Sequence, residues 1–205
     1  MNTLTQPIKL ASDTDRAFST FFSDGRKSKT ILVTGPQCSG TTIATQIISK
    51  ELDRKLYLEE DFSVHNEDQL VDLITLIKIP SVIQCPSMSH IIQDLSKIGC
   101  FIVWMKRPFH DIHASEKKIG WKVHEHIEKA KYTQKFPLKT NLFENMRSAE
   151  MKQNMWDTYQ KQTLDGGFFE LDFRMLRRHP MWVNNRAEFK SRQSSTEGSW
   201  LWNPA

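Results

Sequence analysis

Thr30–Ser49, TILVTGPQCSGTTIATQIIS, decides the fold. The apolar run Ile31-Leu32-Val33 ends at Gly35, Gly40 follows five residues on, and Thr41-Thr42 come next. Ile43, Ile47 and Ile48 then recur at helical spacing. The order is strand, glycine-bounded loop, helix. Glycines let the main chain turn its N–H groups inward, and the first turn of a helix adds unpaired N–H groups and a positive dipole end. Gly35, Pro36, Gln37, Cys38, Ser39, Gly40, Thr41 and Thr42 are therefore expected to hold a phosphate or sulfate. A tight strand-to-helix turn without a ligand is the plainer alternative.

The glycine spacing is that of a phosphate-binding P-loop, with Thr41 where the usual Lys would stand. Working outward, Lys55-Leu56-Tyr57-Leu58 is expected to form a second strand running into Glu59-Glu60-Asp61. Asn66 caps a helix with Leu70, Leu73, Ile74 and Ile77 on its apolar face, ended by Pro80. Ser81–Cys85 is a third strand broken by Pro86. Met88, Ile91, Ile92, Leu95 and Ile98 mark a helix stopped at Gly99. Cys100–Met105 is the most hydrophobic strand, hence expected at the centre of the sheet. It runs into Lys106-Arg107-Pro108 and a helix ended by Gly120. Trp121–Lys135 is a charged helix, and Pro137 breaks the chain after it. Glu144–Gln162 is amphipathic, with Met151, Met155, Trp156 and Tyr159 inward. Gly166-Gly167 turns into a last strand, Phe168–Leu171, followed by a short helix closed by Pro180.

Strands and helices alternate from residue 30 to residue 171. The expected fold class is α/β: a three-layer, P-loop NTPase-like fold with a mainly parallel central sheet, its strand tips sharing one edge. Residues 30–180 form that domain, with 121–162 as a helical lid or insertion. Residues 1–29 form an extension, in which Ala17, Phe18, Phe21 and Phe22 pack on the core and Asp24-Gly25 turns. Arg26, Lys27 and Lys29 either help hold an anion or form a solvated charge run. Residues 181–205 form a basic tail.

A chain of 205 residues, with 39% hydrophobic and 25% charged residues, can bury a sizeable core. The net charge of +4 suits an anionic ligand and leaves nucleic acid open as a partner. Cys38, Cys85 and Cys100 have neither metal nor disulfide spacing, which fits a reducing, cytoplasmic setting. No stretch approaches the roughly 18 apolar residues of a membrane span. His110 with His113, and His124 with His126, lack acidic or thiol partners at ligand spacing, so no metal site is expected.

Ser39-Gly40-Thr41-Thr42 resembles the phosphosulfate loop of sulfotransferases, where a Lys or Arg precedes Ser-Gly-Thr-Thr. Ile102–Pro108, continuing to Asp111-Ile112 and Ser115, looks like that family's second motif. There an Arg at a strand end and a Ser on the next helix hold the donor's 3′-phosphate. Phe168–Leu176 with Pro180 is similar to its later strand and helix, and Ser81–Cys85 to its acceptor-side strand. The chain thus resembles a small bacterial or phage stand-alone sulfotransferase. The resemblance implies 3′-phosphoadenosine-5′-phosphosulfate (PAPS) as donor and in-line sulfuryl transfer to a hydroxyl acceptor whose identity is open. It also implies that Arg107 and Ser115 form a second anion site. Such enzymes use a His or Glu as base, and Glu60, Asp61 and His90 are the candidates here, with His90 displaced from the family's position.

The departure is Cys38, which occupies the place of the loop's basic residue. The neutralising cation must come from elsewhere. Lys106, Lys117, Lys118, Arg186, Lys190 and Arg192 are candidates, and Arg186, Lys190 and Arg192 could also form a substrate surface or lid. A solvated end, with Phe189 between its basic residues, is the equal alternative for the tail. A thiol at a helix N-terminus is expected to have a lowered pKa and to react readily. Two other functions fit the loop: a P-loop kinase using ATP and magnesium, with Thr42 on the metal, and a non-catalytic nucleotide-binding or interaction protein.

Overall fold

The computed structural model describes residues 27–61, 66–136, 146–165, 167–177, 179 and 182. The expected packing of residues 17–22, the turn at 24–25, Arg26, the breaks at Pro137 and Pro180, the start of a helix at Glu144, Gly166, and the basic tail with Arg186, Phe189, Lys190 and Arg192 lie outside the described residues.

Thr30–Thr34 (β1), Lys55–Tyr57 (β2), Ser81–Gln84 (β3), Cys100–Lys106 (β4) and Phe168–Asp172 (β5) form one sheet in the order β2-β3-β1-β4-β5. Every neighbouring pair is parallel. The centre is β1 rather than β4, which lies one place out. Both are buried on both faces, so hydrophobicity alone does not rank them. Among the described residues seven α-helices accompany the sheet: Thr41–Glu51 (α1), Glu67–Leu76 (α2), Ile92–Lys97 (α3), Phe109–Ile119 (α4), Lys122–Lys135 (α5), Ser148–Met155 (α6) and Phe173–Leu176 (α7).

Side chains alternate across each strand, and the two faces meet different helices. Ile31, Val33, Val103 and Met105 pack on Ala44, Ile47 and Ile48 of α1 and on Phe173 and Leu176 of α7. Leu32, Ile83, Ile102 and Trp104 pack on Leu70 and Ile74 of α2, on Ile92 and Leu95 of α3, and on Trp156. This gives the three layers. The expected local signals act as anticipated at several ends. Asn66 accepts from the Gln69 N–H at 2.9 Å to cap α2. Gly120 closes α4 at φ +70°, a left-handed position that suits glycine.

Two local readings need correction. Pro86–Ile91 winds as a 3-10 helix before α3 begins, so the helix expected from Met88 starts differently. The amphipathic segment does not run unbroken to Gln162. After α6, Trp156–Gln160 forms a wider π-turn and Lys161–Thr163 a 3-10 turn. The wider turn delays the register, so Gln160 rather than Tyr159 points inward: Gln160 is fully buried, while Tyr159 is 46% exposed. The Gln160 amide donates to the Ser89 carbonyl at 3.0 Å. Lys27 and Lys29 are exposed and precede β1, at its amino end, about 16 Å or one strand length from the loop, which fits a solvated charge run rather than an anion contact.

Because all five strands run the same way, the segments after β1, β2, β3, β4 and β5 share one edge. From β1 the chain departs toward β2, and from the adjacent β4 it departs toward β5 on the opposite side. Such a reversal is where open α/β sheets form a ligand crevice, outside the strands' carboxyl ends.

Candidate functional site

The β1–α1 loop sits at that reversal. Gly35, Cys38 and Gly40 have φ of +139°, +60° and +99°. These left-handed steps fold the loop tightly, and the Ser39 N–H donates to the Pro36 carbonyl at 3.2 Å. A Cβ on Gly35 would lie 3.0 Å from the Met105 carbonyl oxygen, so the loop passes directly over β4. Gly40 is the N-cap of α1 and provides no side-chain cap. The first-turn N–H groups of α1 have no intrahelical acceptor, as in any helix. Ser39 is fully buried, and its Oγ has no hydrogen-bond partner among the described residues. A buried hydroxyl without a partner carries a desolvation cost that an acceptor ligand would relieve. Thr41 is buried, with its Oγ1 accepting from Gln84 Nε2 at 3.2 Å, and Thr42 is half-buried on the first turn.

Arg107 and Ser115 both converge on Cys38. Arg107, just past β4, donates from Nη1 to the Cys38 carbonyl at 2.7 Å, and its guanidinium lies 4.2 Å above the Phe173 ring. Its Nε is buried without a partner, and among the described residues it makes no ion pair with a carboxylate. Burial pushes its pKa down, opposed by Asp111. Ser115 of α4 neighbours the Cys38 thiol.

That contact lowers the thiol's pKa, yet burial outweighs it and raises the pKa overall, with Glu116 adding to the rise. This corrects the expectation of a reactive thiolate: the helix end is desolvated along with the sulfur. At pH 8, Cys38 should alkylate several-fold more slowly with iodoacetamide than in the urea-unfolded chain, as read by mass spectrometry of its peptide. A rate at or above the unfolded one would contradict the burial effect.

The three base candidates lie apart from one another. Glu60 and Asp61 are exposed in the 3-10 turn Glu59–Asp61 after β2, the edge strand. Asp61 accepts from the Leu58 N–H at 2.6 Å, and burial pushes its carboxyl above the usual range. His90 lies in the 3-10 segment Pro86–Ile91. It is buried, its Nε2 donating to Glu67 at 2.8 Å, and burial lowers its pKa. Glu59 is tied more closely to the loop than any of these. Its N–H donates to Gln84 Oε1 at 3.0 Å, and Gln84 in turn holds Thr41. Its carboxylate accepts from the Ser87 N–H at 3.0 Å and from the Ser87 hydroxyl.

The residue the sequence reading missed is Lys152 of α6. It is 1% exposed, and its Nζ donates to Gln37 Oε1 at 2.8 Å and to the Pro86 carbonyl at 3.2 Å, and pairs with Glu128 of α5. The charged segment that was expected as a lid is docked here: Tyr132 of α5 is buried against Met151 and Met155 and donates to Ser89 Oγ at 2.6 Å. A signal for Lys152 existed. It falls three residues after Ala149 and three and four before Met155 and Trp156, within an apolar stripe where a charge needs a partner. Of the expected cations, Lys106 instead faces Glu170 at 3.4 Å, and Lys117 and Lys118 are exposed in the last turn of α4.

Among the described residues, no group of three or more His, Cys, Asp or Glu side chains could hold a metal ion. Among them, no helix is long and apolar enough to cross a membrane. The protein is thus an open, parallel α/β sheet with Arg107 and Lys152 both tied to the loop at the β1–β4 reversal. Comparison with known proteins finds no matching family model, no matching curated protein and no matching solved structure.

Proposed function

We propose that the chain is a sulfotransferase-like P-loop group transferase that takes an anionic nucleotide donor of the PAPS type and passes its sulfuryl group to a hydroxyl acceptor. The observation that carries this reading is Arg107: a half-buried guanidinium with no carboxylate partner among the described residues, fastened to the carbonyl of Cys38. A half-desolvated cation with Asp111 near it but no described carboxylate in ion-pair contact favours an anionic ligand. The unpartnered Ser39 hydroxyl and the uncapped start of α1 lie in the same loop, so the residues present fit a ligand with more than one anionic group.

When bound, such a donor would supply the sulfuryl group and a bisphosphate leaving group. In this reading, Gly40, Thr41 and Thr42 offer main-chain N–H groups to the loop-side anion, and Thr42 adds its hydroxyl. Arg107 and Ser115 serve a second anionic group. Among the candidate bases, the raised pKa of Asp61 and its exposure beside Glu60 suit taking a proton from an acceptor, whereas the lone pair of His90 is enclosed.

Calorimetry with adenosine 3′,5′-bisphosphate in the absence of magnesium tests the reading. Tight binding is expected. Magnesium-dependent binding of ATP instead would favour a kinase, and no binding of either would favour a non-catalytic protein. Arg107→Ala should weaken the bisphosphate about 10- to 100-fold, as for loss of a charge-assisted hydrogen bond. It should change adenosine 5′-phosphate binding much less. Arg107→Lys should recover only part, because the ammonium lacks the planar fork. Equal losses for both nucleotides would contradict the role given to Arg107.

A further inference from the structure

The β1–α1 loop has no cation of its own sequence, yet a buried ammonium touches it. Lys152 reaches the loop through Gln37, the residue before Cys38, and the tip of β3 through the Pro86 carbonyl. Both of those oxygens are neutral, and the ammonium's ion-pair partner is the Glu128 carboxylate. The ammonium also lies 5.8 Å from the centre of the Tyr132 ring, so its surroundings are aromatic and dry.

Stability does not account for such a pair. Replacing a buried ion pair with matched apolar side chains is commonly neutral or stabilising, because desolvation of two charges offsets their attraction. A charge kept inside at that cost, and aimed at the tips of β1 and β3, calls for another use. The loop supplies one, since Cys38 and Thr41 stand where cations are expected.

We propose that Lys152 is the charge-compensating residue of this loop: Glu128 holds its ammonium when no anion is bound, and an anionic ligand in the loop draws it off that carboxylate onto itself. This rests on the anion-binding reading of the loop above. The four-carbon stem of lysine allows the ammonium to shift by rotamer change without moving α6. Gln37 is the natural guide, since its carbonyl oxygen already draws the ammonium toward the loop. Glu128 then acts as an internal competitor for the ligand, which sets the affinity below what the cation alone would give.

The test compares full-length wild type, Glu128→Gln, Arg107→Ala and the double variant Lys152→Met with Glu128→Leu. Calorimetric titration uses adenosine 3′,5′-bisphosphate and, separately, inorganic pyrophosphate, without magnesium. Glu128→Gln removes the competitor and keeps a neutral acceptor of the same shape. It should tighten both ligands about tenfold or more. The double variant keeps the volume and removes both charges. Its urea midpoint reports folding, and it should bind both ligands about tenfold or more weakly than wild type. Affinities unchanged in Glu128→Gln and in the double variant, beside a loss in Arg107→Ala, would overturn the role of Lys152 and leave the loop reading standing. No binding by wild type would overturn both.

Discussion

Lys152→Met alone should destabilise the fold by about 3–5 kcal/mol, because it leaves the Glu128 carboxylate buried without its ammonium. The loss would be a large share of the roughly 5–15 kcal/mol that holds a typical domain together. Three connections fail at once. Gln37 loses its donor, so the loop loses its tie to α6. The Pro86 carbonyl loses a partner at the tip of β3. Glu128 remains in an environment where its charge is poorly solvated. A urea titration by circular dichroism measures the loss. Removing Glu128 as well, as Leu, should restore most of it, because the second substitution takes away the uncompensated charge. A double variant as unstable as the single one would mean that the side-chain volumes, rather than the charges, matter at this position.

Gly40→Ala is the second large effect, and it acts on the loop itself. A methyl group there would lie 2.5 Å from Cδ2 of Phe173, well inside any real contact. The ring cannot readily yield: Arg107 stacks on it at 4.2 Å and Trp182 meets it edge-on at 5.1 Å. Left-handed backbone at φ +99° adds roughly 1–2 kcal/mol for a residue bearing a Cβ. Overpacking adds about 1–3 kcal/mol. The expected result is a loss of several kcal/mol, together with loss of anion binding. Combining Gly40→Ala with Phe173→Leu should cost less than the sum of the two single changes, since the clash belongs to the pair. Additive losses would show that the backbone term alone is at work.

The fold was legible where the chemistry is local. Ile31 to Gly40 declares a strand and a glycine-bounded turn, Asn66 a cap, and Gly120 a stop, because each acts within four residues of itself. Arg107 and Ser115 lie on one strand end and the helix after it, so their placement is local. What Arg107 meets, the carbonyl of Cys38, needs the parallel neighbour β1 and is not local. The sign of the Cys38 shift was misjudged for the same reason: the helix dipole is visible in sequence, whereas burial is not. Lys152 and Glu128 lie 24 positions apart on different helices, and only the docking of α5 on α6 makes them a pair. The π-turn at Trp156–Gln160 has no glycine or proline to announce it. It is accompanied by tertiary bonds, from Trp156 Nε1 to Glu170 at 2.6 Å and from Gln160 to Ser89.

The central claim is that the turn from β1 into α1 is an anion cradle built from main-chain amides and assisted by Arg107. Amide-resolved nuclear magnetic resonance during titration with adenosine 3′,5′-bisphosphate tests it most directly. The account predicts that the N–H signals of Gly40, Thr41 and Thr42 shift together with the Arg107 Nε–H signal, along one binding curve. Signals in this loop that stay fixed at saturating bisphosphate, or shifts confined to other strand tips, would contradict it.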